Sequence, residues 1–326
     1  MSQTLEMTPE QRTAMRDLLV ETVSAVAPTR RRRVVAWRTG LAAGGLAALV
    51  AVAVAVAAAP AEKPVSPAPA MLDAAAVVTP ANPVAGPGQY LRISTRAEYL
   101  AAYYPPPGTG AATGYLSPEL QEMFLPHDPA AKPIRRTTYL EPKVFYGPGA
   151  REQAAADRAA QIPKVVVAAG PFEPENGEAG GGPSPQPLDQ DALPRDPGSL
   201  LAVLRAHHLL PGIRADDNAF QQAADMLRQG DVKPDLRAAL YRALALIPGI
   251  SISDGAAVLD GTTGTAFTLA TFAGEARQEI VIDPRTGQFI GERLISVKGF
   301  GAIPPGTVVE STAVTLAVVD HAPRIG

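Results

Sequence analysis

Four histidines, His127, His207, His208 and His321, are the groups of this chain best suited to proton transfer or metal ligation near neutral pH. His207 and His208 are adjacent on an expected helix, so their side chains diverge by about 100° and do not readily share one metal. At a helix end an imidazole also suits the dipole. Ser251-Ile252-Ser253-Asp254 and Asp260-Gly261 offer hydroxyls and carboxylates, yet the same residue types close strands and turns. The sequence holds no Gly-x-Ser-x-Gly elbow, no His-Glu-x-x-His pair and no glycine-rich phosphate loop. It also holds no cysteine, which excludes a thiol nucleophile, thiolate metal sites and a disulfide framework. The expectation is a non-enzymatic protein with no catalytic residue, no cofactor and no metal. A remote alternative is an envelope hydrolase acting through Asp254 or His208.

The tyrosines suggest binding instead. Seven of the eight lie between Tyr90 and Tyr146, with Pro105, Pro106 and Pro107 among them. Tyr90, Tyr103, Tyr104 and Tyr139 are the candidate ligand surface, since rigid prolines and amphipathic rings suit peptide or sugar. The competing reading is a half-exposed sheet.

The elements that would position these residues begin with a membrane anchor. Arg30, Arg31, Arg32, Arg33 and Arg38 abut an uncharged stretch, Leu41 to Ala59. As a helix it measures roughly 28 Å, close to one hydrocarbon thickness. Arginine-rich flanks stay on the cytoplasmic side, and Trp37 suits the interface. The expected topology is a cytoplasmic N-terminus, one crossing, and everything after Pro60 outside. A cleaved export signal ending near Ala57 and Ala59 is the rival, opposed by a long N-terminal region carrying Glu6, Glu10, Asp17 and Glu21. Gly40 and Gly44 form a small-xxx-small pair. Residues 1–38 carry a net charge of +3 and the remainder −6, so the outer part lacks the basic footprint of nucleic-acid binding.

The expected organisation is a tail (1–38) with one short helix after Thr8-Pro9, a transmembrane helix (39–59), a Pro/Ala-rich linker (60–88), and an extracytoplasmic α+β domain (89–326) with a flexible insertion (170–195). Strands are expected at Gln89–Thr95 and Arg135–Val144, and a short helix from Ser117-Pro118-Glu119 through Phe124. A helix is also expected over Ala150–Gln161. Three further helices are expected: after Asp196-Pro197, from Asp216 or Asp217 to Gly230, and from Pro234-Asp235 to Ile247. The hydrophobic period then shortens to two. Gly255–Asp260, Thr265–Phe272, Arg277–Asp283, Gln288–Val297 and Thr307–Val319 read as strands, with hairpin chemistry at Gly261-Thr262-Thr263-Gly264 and Asp283-Pro284-Arg285-Thr286-Gly287. The fold class is therefore α+β: an antiparallel sheet with helices on one face. Residues 89–163 are too sparse to fold alone and are expected to share its core.

Gly88-Gln89-Tyr90-Leu91, Leu193-Pro194 to Leu204, Leu236 to Pro248-Gly249 and Ile280 to Gly287 together resemble a family of actinobacterial single-pass membrane proteins known by a locus-tag name. The resemblance is strongest over Ala238–Gly291 and skips 105–130 and 165–190. It implies proximity to extracytoplasmic-function sigma factors, hence a signalling role with residues 1–38 touching a cytoplasmic regulator. It supplies no catalytic residues, and this tail has one helix where a full anti-sigma domain has several. The leading expectation is a membrane-anchored sensing or binding protein. The alternative is a lipid or lipoprotein carrier, a half-barrel cradling an acyl chain between sheet and helices.

Overall fold

Alternation of side chains about the strand axis begins at Tyr90 and builds the sheet on which everything else rests. The computed structural model describes residues 82–105, 110–170, 188–207, 209 and 212–325. The tail, the 41–59 stretch, the arginine cluster with Trp37, most of the linker, His208 and residues 171–187 of the expected insertion lie outside these. Among the described residues no helix is long and apolar enough to cross a membrane.

In chain order the elements are β1 (Tyr90–Tyr103), β2 (Thr113–Pro126), β3 (Ile134–Tyr139), β4 (Phe145–Tyr146), α1 (Ala150–Ala160) and β5 (Val165–Ala169), followed by α2 (Pro197–Ala206), α3 (Ala215–Arg228) and α4 (Pro234–Leu244). The chain ends in β6 (Ser251–Ala257), β7 (Thr263–Thr271), β8 (Ala276–Ile282), β9 (Phe289–Ser296) and β10 (Thr307–Val319). All pairings are antiparallel, in the order β5-β3-β2-β1-β10-β9-β8-β7-β6, with β4 beside β2. The first strand therefore pairs with the last, from Tyr90 opposite Val319 to Tyr99 opposite Glu310. That seam joins residues 90–169 to the C-terminal meander in one sheet, as the sequence leads one to expect.

The expected helix at Ser117–Phe124 is instead the middle of β2. Its Ser-Pro-Glu signal is local, whereas β2 pairs along its whole length with β1 and on its other side with β4 and β3. Pro118 is tolerated because it falls in the gap between Tyr115, the last residue of β2 paired with β4, and Glu119, the first paired with β3, where no amide is needed. The strand expected at Arg135–Val144 ends at Tyr139 as β3, the two-residue β4 follows beyond it, and β5 adds an edge where no strand was expected. β1 runs on to Tyr103, past its expected end at Thr95, and β6 covers Ser251–Ala257 where a strand was expected at Gly255–Asp260. The remaining elements fall where periodicity places them, and β10 matches residue for residue.

The helices cover one face. Asp196 caps α2 by accepting the Ser199 amide at 2.8 Å, with Pro197 in the first turn. Leu200, Leu204, Phe220, Leu227, Leu236, Leu240 and Leu244 are fully buried and meet Phe267, Leu269, Ile280, Ile282 and Phe289 of the sheet. Each such side chain contributes roughly 1.5–3 kcal/mol through burial. The turn between α3 and α4 sits directly on β1: Gly230 has φ 76°, and a Cβ there would lie 2.8 Å from Ile93 Cγ2. The last residues of the expected insertion pack here too, with Leu193 in the core and Arg195 held by Asp235 at 2.6 Å. Farther along β1, α1 covers a second cluster of Ala101, Tyr103, Tyr115 and Ala154.

Candidate functional site

Odd-numbered residues of β1 face the helices: Leu91 and Ile93 lie under the α2–α4 layer and Ala101 and Tyr103 under α1. Between these two apolar ends the same face turns polar. Thr95 and Tyr99 of β1, Ser117, Glu119 and Gln121 of β2, and Glu310 and Thr312 of β10 share it by register. On β9, Glu292 pairs with Ile280, a core residue of the helix-covered face, and so points the same way.

Helix α3 contributes the cation. The Arg228 guanidinium donates to Glu292 and, at 2.9 Å, to Asp225. Glu292 is 2 % exposed; Arg228 reaches one of its oxygens, while the other, Oε2, is buried without a hydrogen-bond partner. Its amide donates to Thr312 Oγ1 at 3.1 Å. Nearby, Gln278 Nε2 donates to Gln221 Oε1 at 2.8 Å, a second polar tie from α3 to the sheet. β9 can approach β10 this closely because residue 291 is glycine: a Cβ there would fall 2.3 Å from Thr312 O.

The electrostatics of this strip are unbalanced. One arginine faces Asp225, Glu292 and Glu310. Burial, reinforced by the charge of Glu292, pushes the Glu310 carboxyl up to about 7, against the opposing pull of Arg228. Burial likewise raises the Tyr99 phenol, with Glu310, Glu119 and Glu292 adding to the shift and Arg228 opposing it. Burial disfavours the charged form of Arg228, but Glu292 and Asp225 outweigh it and hold the guanidinium protonated.

The opposite face carries two similar ion-pair triads. Glu122 lies between Arg136 at 2.6 Å and Arg92 at 3.9 Å, and Glu279 between Arg293 at 2.6 Å and Arg277 at 3.0 Å. Both carboxylates are nearly fully buried. The segment after β6 bends over this face, and Arg293 donates to Ala257 O at 3.2 Å. A crevice of about 270 Å³ remains there, lined by Glu98, Leu116, Val258, Leu259, Arg293 and Ser311. Its guanidinium is already engaged by Glu279 and Ala257.

The residues singled out from sequence are dispersed. Tyr90 and Tyr103 stand at opposite ends of the 14-residue β1. Tyr103 is buried under α1, stacked on Tyr115 at 6.1 Å, and both hydroxyls donate to Asp157. Tyr104 is exposed and stacks on Phe300 at 6.0 Å, and Tyr139 lies opposite Glu119 on β2. The four tyrosines therefore form no single surface; proximity along the chain becomes separation along extended strands. His127 Nδ1 lies 2.7 Å from Ala85 O, and His207 ends α2, its carbonyl accepting from Asn218 at 2.8 Å. Asp254 accepts from Thr265 Oγ1 at 2.7 Å, and Asp260 accepts the Thr262 amide at 2.9 Å, both local strand and turn roles.

The entry point of the domain is equally well defined. Asn82 donates to Val232 O at 2.9 Å, four residues beyond Arg228, and its Oδ1 accepts from Arg237 at 2.8 Å and Gln288 at 3.2 Å. Neither Asn82 nor the polar strip was singled out from sequence. The strip's signal was available, because Glu292, Glu310 and Thr312 interrupt the inward apolar positions of β9 and β10. No protein family, curated protein or solved structure matches this chain.

Proposed function

We propose that the chain is a single-pass membrane protein whose C-terminal domain is an extracytoplasmic sensing or binding module without enzymatic activity. In this reading residues 1–38 touch a cytoplasmic regulator. The observation that carries it is the stitched entry at Asn82. A domain that must pass a change in its own packing to a linker needs a fixed point of attachment, and Asn82 is bonded at once to the α3–α4 turn, α4 and the β8–β9 turn. The arginine cluster beside 41–59 supplies the orientation. The carrier alternative draws no support from the packing, since the helix–sheet interface is filled by fully buried Leu, Phe and Tyr side chains.

Phosphatase fusions test the topology. Activity is expected after residue 90 and none after residue 28. Replacing Arg30, Arg31, Arg32, Arg33 and Arg38 by Gln should give mixed orientation, because each such charge costs at least ~2.5 kcal/mol at the bilayer centre. Activity after residue 28 and none after residue 90 refutes the assignment.

A further inference from the structure

Among the described residues β5 ends the sheet, with β3 on one side and no strand on the other. The Tyr139 amide donates to Lys164 O at 3.0 Å, and the Gly170 amide to Pro133 O at 2.8 Å. In an antiparallel ladder a residue's N–H and C=O point the same way, and alternate residues point oppositely. Even-numbered positions from 164 to 170 therefore serve β3. Val165, Val167 and Ala169 turn their amides and carbonyls out of the sheet.

The two ends of the sheet are finished differently. β6 carries the usual safeguards of an edge: a bulge between Asp254 and Ala256, Gly255 at φ 76°, and an exposed carboxylate on Asp254. β5 carries none of these. Its five residues are all apolar, its pairing with β3 runs without a register shift, and Val165 and Val166 stand 46 % and 39 % exposed. Such an edge invites another strand. The segment after Gly170 is ill-suited to supply it, since Pro171, Pro174, Pro183, Pro185 and Pro187 lack the amides a ladder needs.

We propose that the outer edge of β5 pairs with β5 of a second copy of this chain, antiparallel and centred on Val167, so that two sheets become one. In that register Val167 faces its own copy, Val165 faces Ala169, and every outward amide meets an outward carbonyl. No charged side chain lies at the seam. Lys164, just outside it, falls opposite Gly170, and its ammonium donates to Arg158 O. Arg136, beside Val167 on β3, is paired with Glu122. It stands three strand spacings, roughly 14 Å, from its copy, farther than the screening length in physiological salt. The two-fold axis runs perpendicular to the sheet, so both helical layers lie on one side of the joined sheet. Asn82, bonded to Val232 and Arg237 on that side, brings both linkers out there as well. The contact is short, hence weak between free chains and favoured between chains confined to one surface. That confinement rests on the proposed membrane anchor; the pairing itself needs only the folded domain.

The chain has no cysteine, so single substitutions read the register directly. In permeabilised cells expressing the full chain, Val167→Cys should give a covalent dimer under mild oxidation. Facing Cα atoms of a bonded antiparallel pair lie about 5.5 Å apart, within disulfide range. Val165→Cys alone should not cross-link, because its two copies lie about 14 Å apart along the seam. It should cross-link when co-expressed with Ala169→Cys. Val167→Pro removes only an outward amide and leaves the β3 ladder whole, so adding it to both chains of that mixed pair should abolish their cross-link. Absence of the cross-links at 167 and in the mixed pair, equal cross-linking of all three single variants, or a mixed cross-link that survives Val167→Pro overturns the pairing. A dimer joined through Gly40 and Gly44, or an edge covered by residues 171–187, gives no such register dependence and counts against it. If Val167→Cys does not fold, the mixed pair decides alone. The oxidant reaches both sides of the membrane, so failure of the topology would show only in the phosphatase fusions.

Discussion

Replacing Arg237 should cost almost nothing, although it is among the most deeply buried charged residues of the domain. It is 2 % exposed on α4, and burial holds its guanidinium below its ordinary value. Among the described residues no carboxylate pairs with it: Nη1 donates to Asn82 and Gln288 at 2.8 Å each, and Nε and Nη2 find no acceptor there. Two bonds from a charged donor stabilise by roughly 1.5–3 kcal/mol each. Against this stand several kcal/mol for desolvating the cation and about 1–3 kcal/mol for each buried donor left unpaired. The two sides nearly cancel. Arg237→Met, which keeps the apolar stem, should therefore lie within ~1 kcal/mol of wild type. Asn82→Ala removes an acceptor while leaving the charge in place, and should lose about 2 kcal/mol. In the Arg237→Met background the Asn82→Ala loss should shrink, giving a coupling of about 1–2 kcal/mol. Guanidinium unfolding of the full chain in detergent, followed by far-ultraviolet circular dichroism, measures all four corners. A loss above ~2 kcal/mol for Arg237→Met would show that the charge has an anionic counterpart and that this reasoning is wrong.

Phe220→Ala should lose about 3–5 kcal/mol, since the ring is fully buried between the helices and the sheet; a loss below ~1.5 kcal/mol would mean that the layer can collapse around the void. Gly230→Val should be destabilising by more than ~2 kcal/mol, because it combines a φ of 76° with a Cβ 2.8 Å from Ile93. Leu in place of Gly249, where no atom lies within 4 Å of the added Cβ, should suffer only the backbone strain. The pH dependence has a defined sign. A carboxyl whose folded value is raised from 4.5 to about 7 adds stability below pH ~4.5 that disappears as pH rises through 7, about 3 kcal/mol in all. Glu310→Gln should remove that fall from the unfolding free energy measured between pH 5 and 8, and an unchanged slope would assign it elsewhere.

How much was legible in the sequence followed from how local the signal is. The three helices α2–α4 were readable because Asp196-Pro197, Gly230 and Pro234 mark their ends and their apolar stripes repeat at helical spacing. The meander was readable because its turns, such as Asp283 to Gly287, are closed by their own side chains: Asp283 accepts the Arg285 amide at 2.9 Å. β2 was misread because its identity lies in its partners. Ser117-Pro118-Glu119 favours a helix start on its own, and only β1, β3 and β4 together impose the extended form. The tyrosine surface was an inference from nearness in sequence that long strands undo. The polar strip required knowing that β1, β9 and β10 are neighbours, a fact that joins residues more than two hundred positions apart.

That last pairing carries a kinetic consequence. The seam between β1 and β10 lies in the middle of the sheet, so the two halves of the sheet cannot be joined until the final strand is available. Closing a loop of this length costs roughly 3 kcal/mol more than closing a tight hairpin. Topologies dominated by such distant pairings fold slowly. A chain emerging from its N-terminus would hold β1 with one bare edge until Thr307–Val319 followed, so the last strand to appear is the one that ends its exposure to stray strand pairing. Loss of the final twenty residues would thus do more than shorten the protein: it would leave an unfinished sheet with its central edge open.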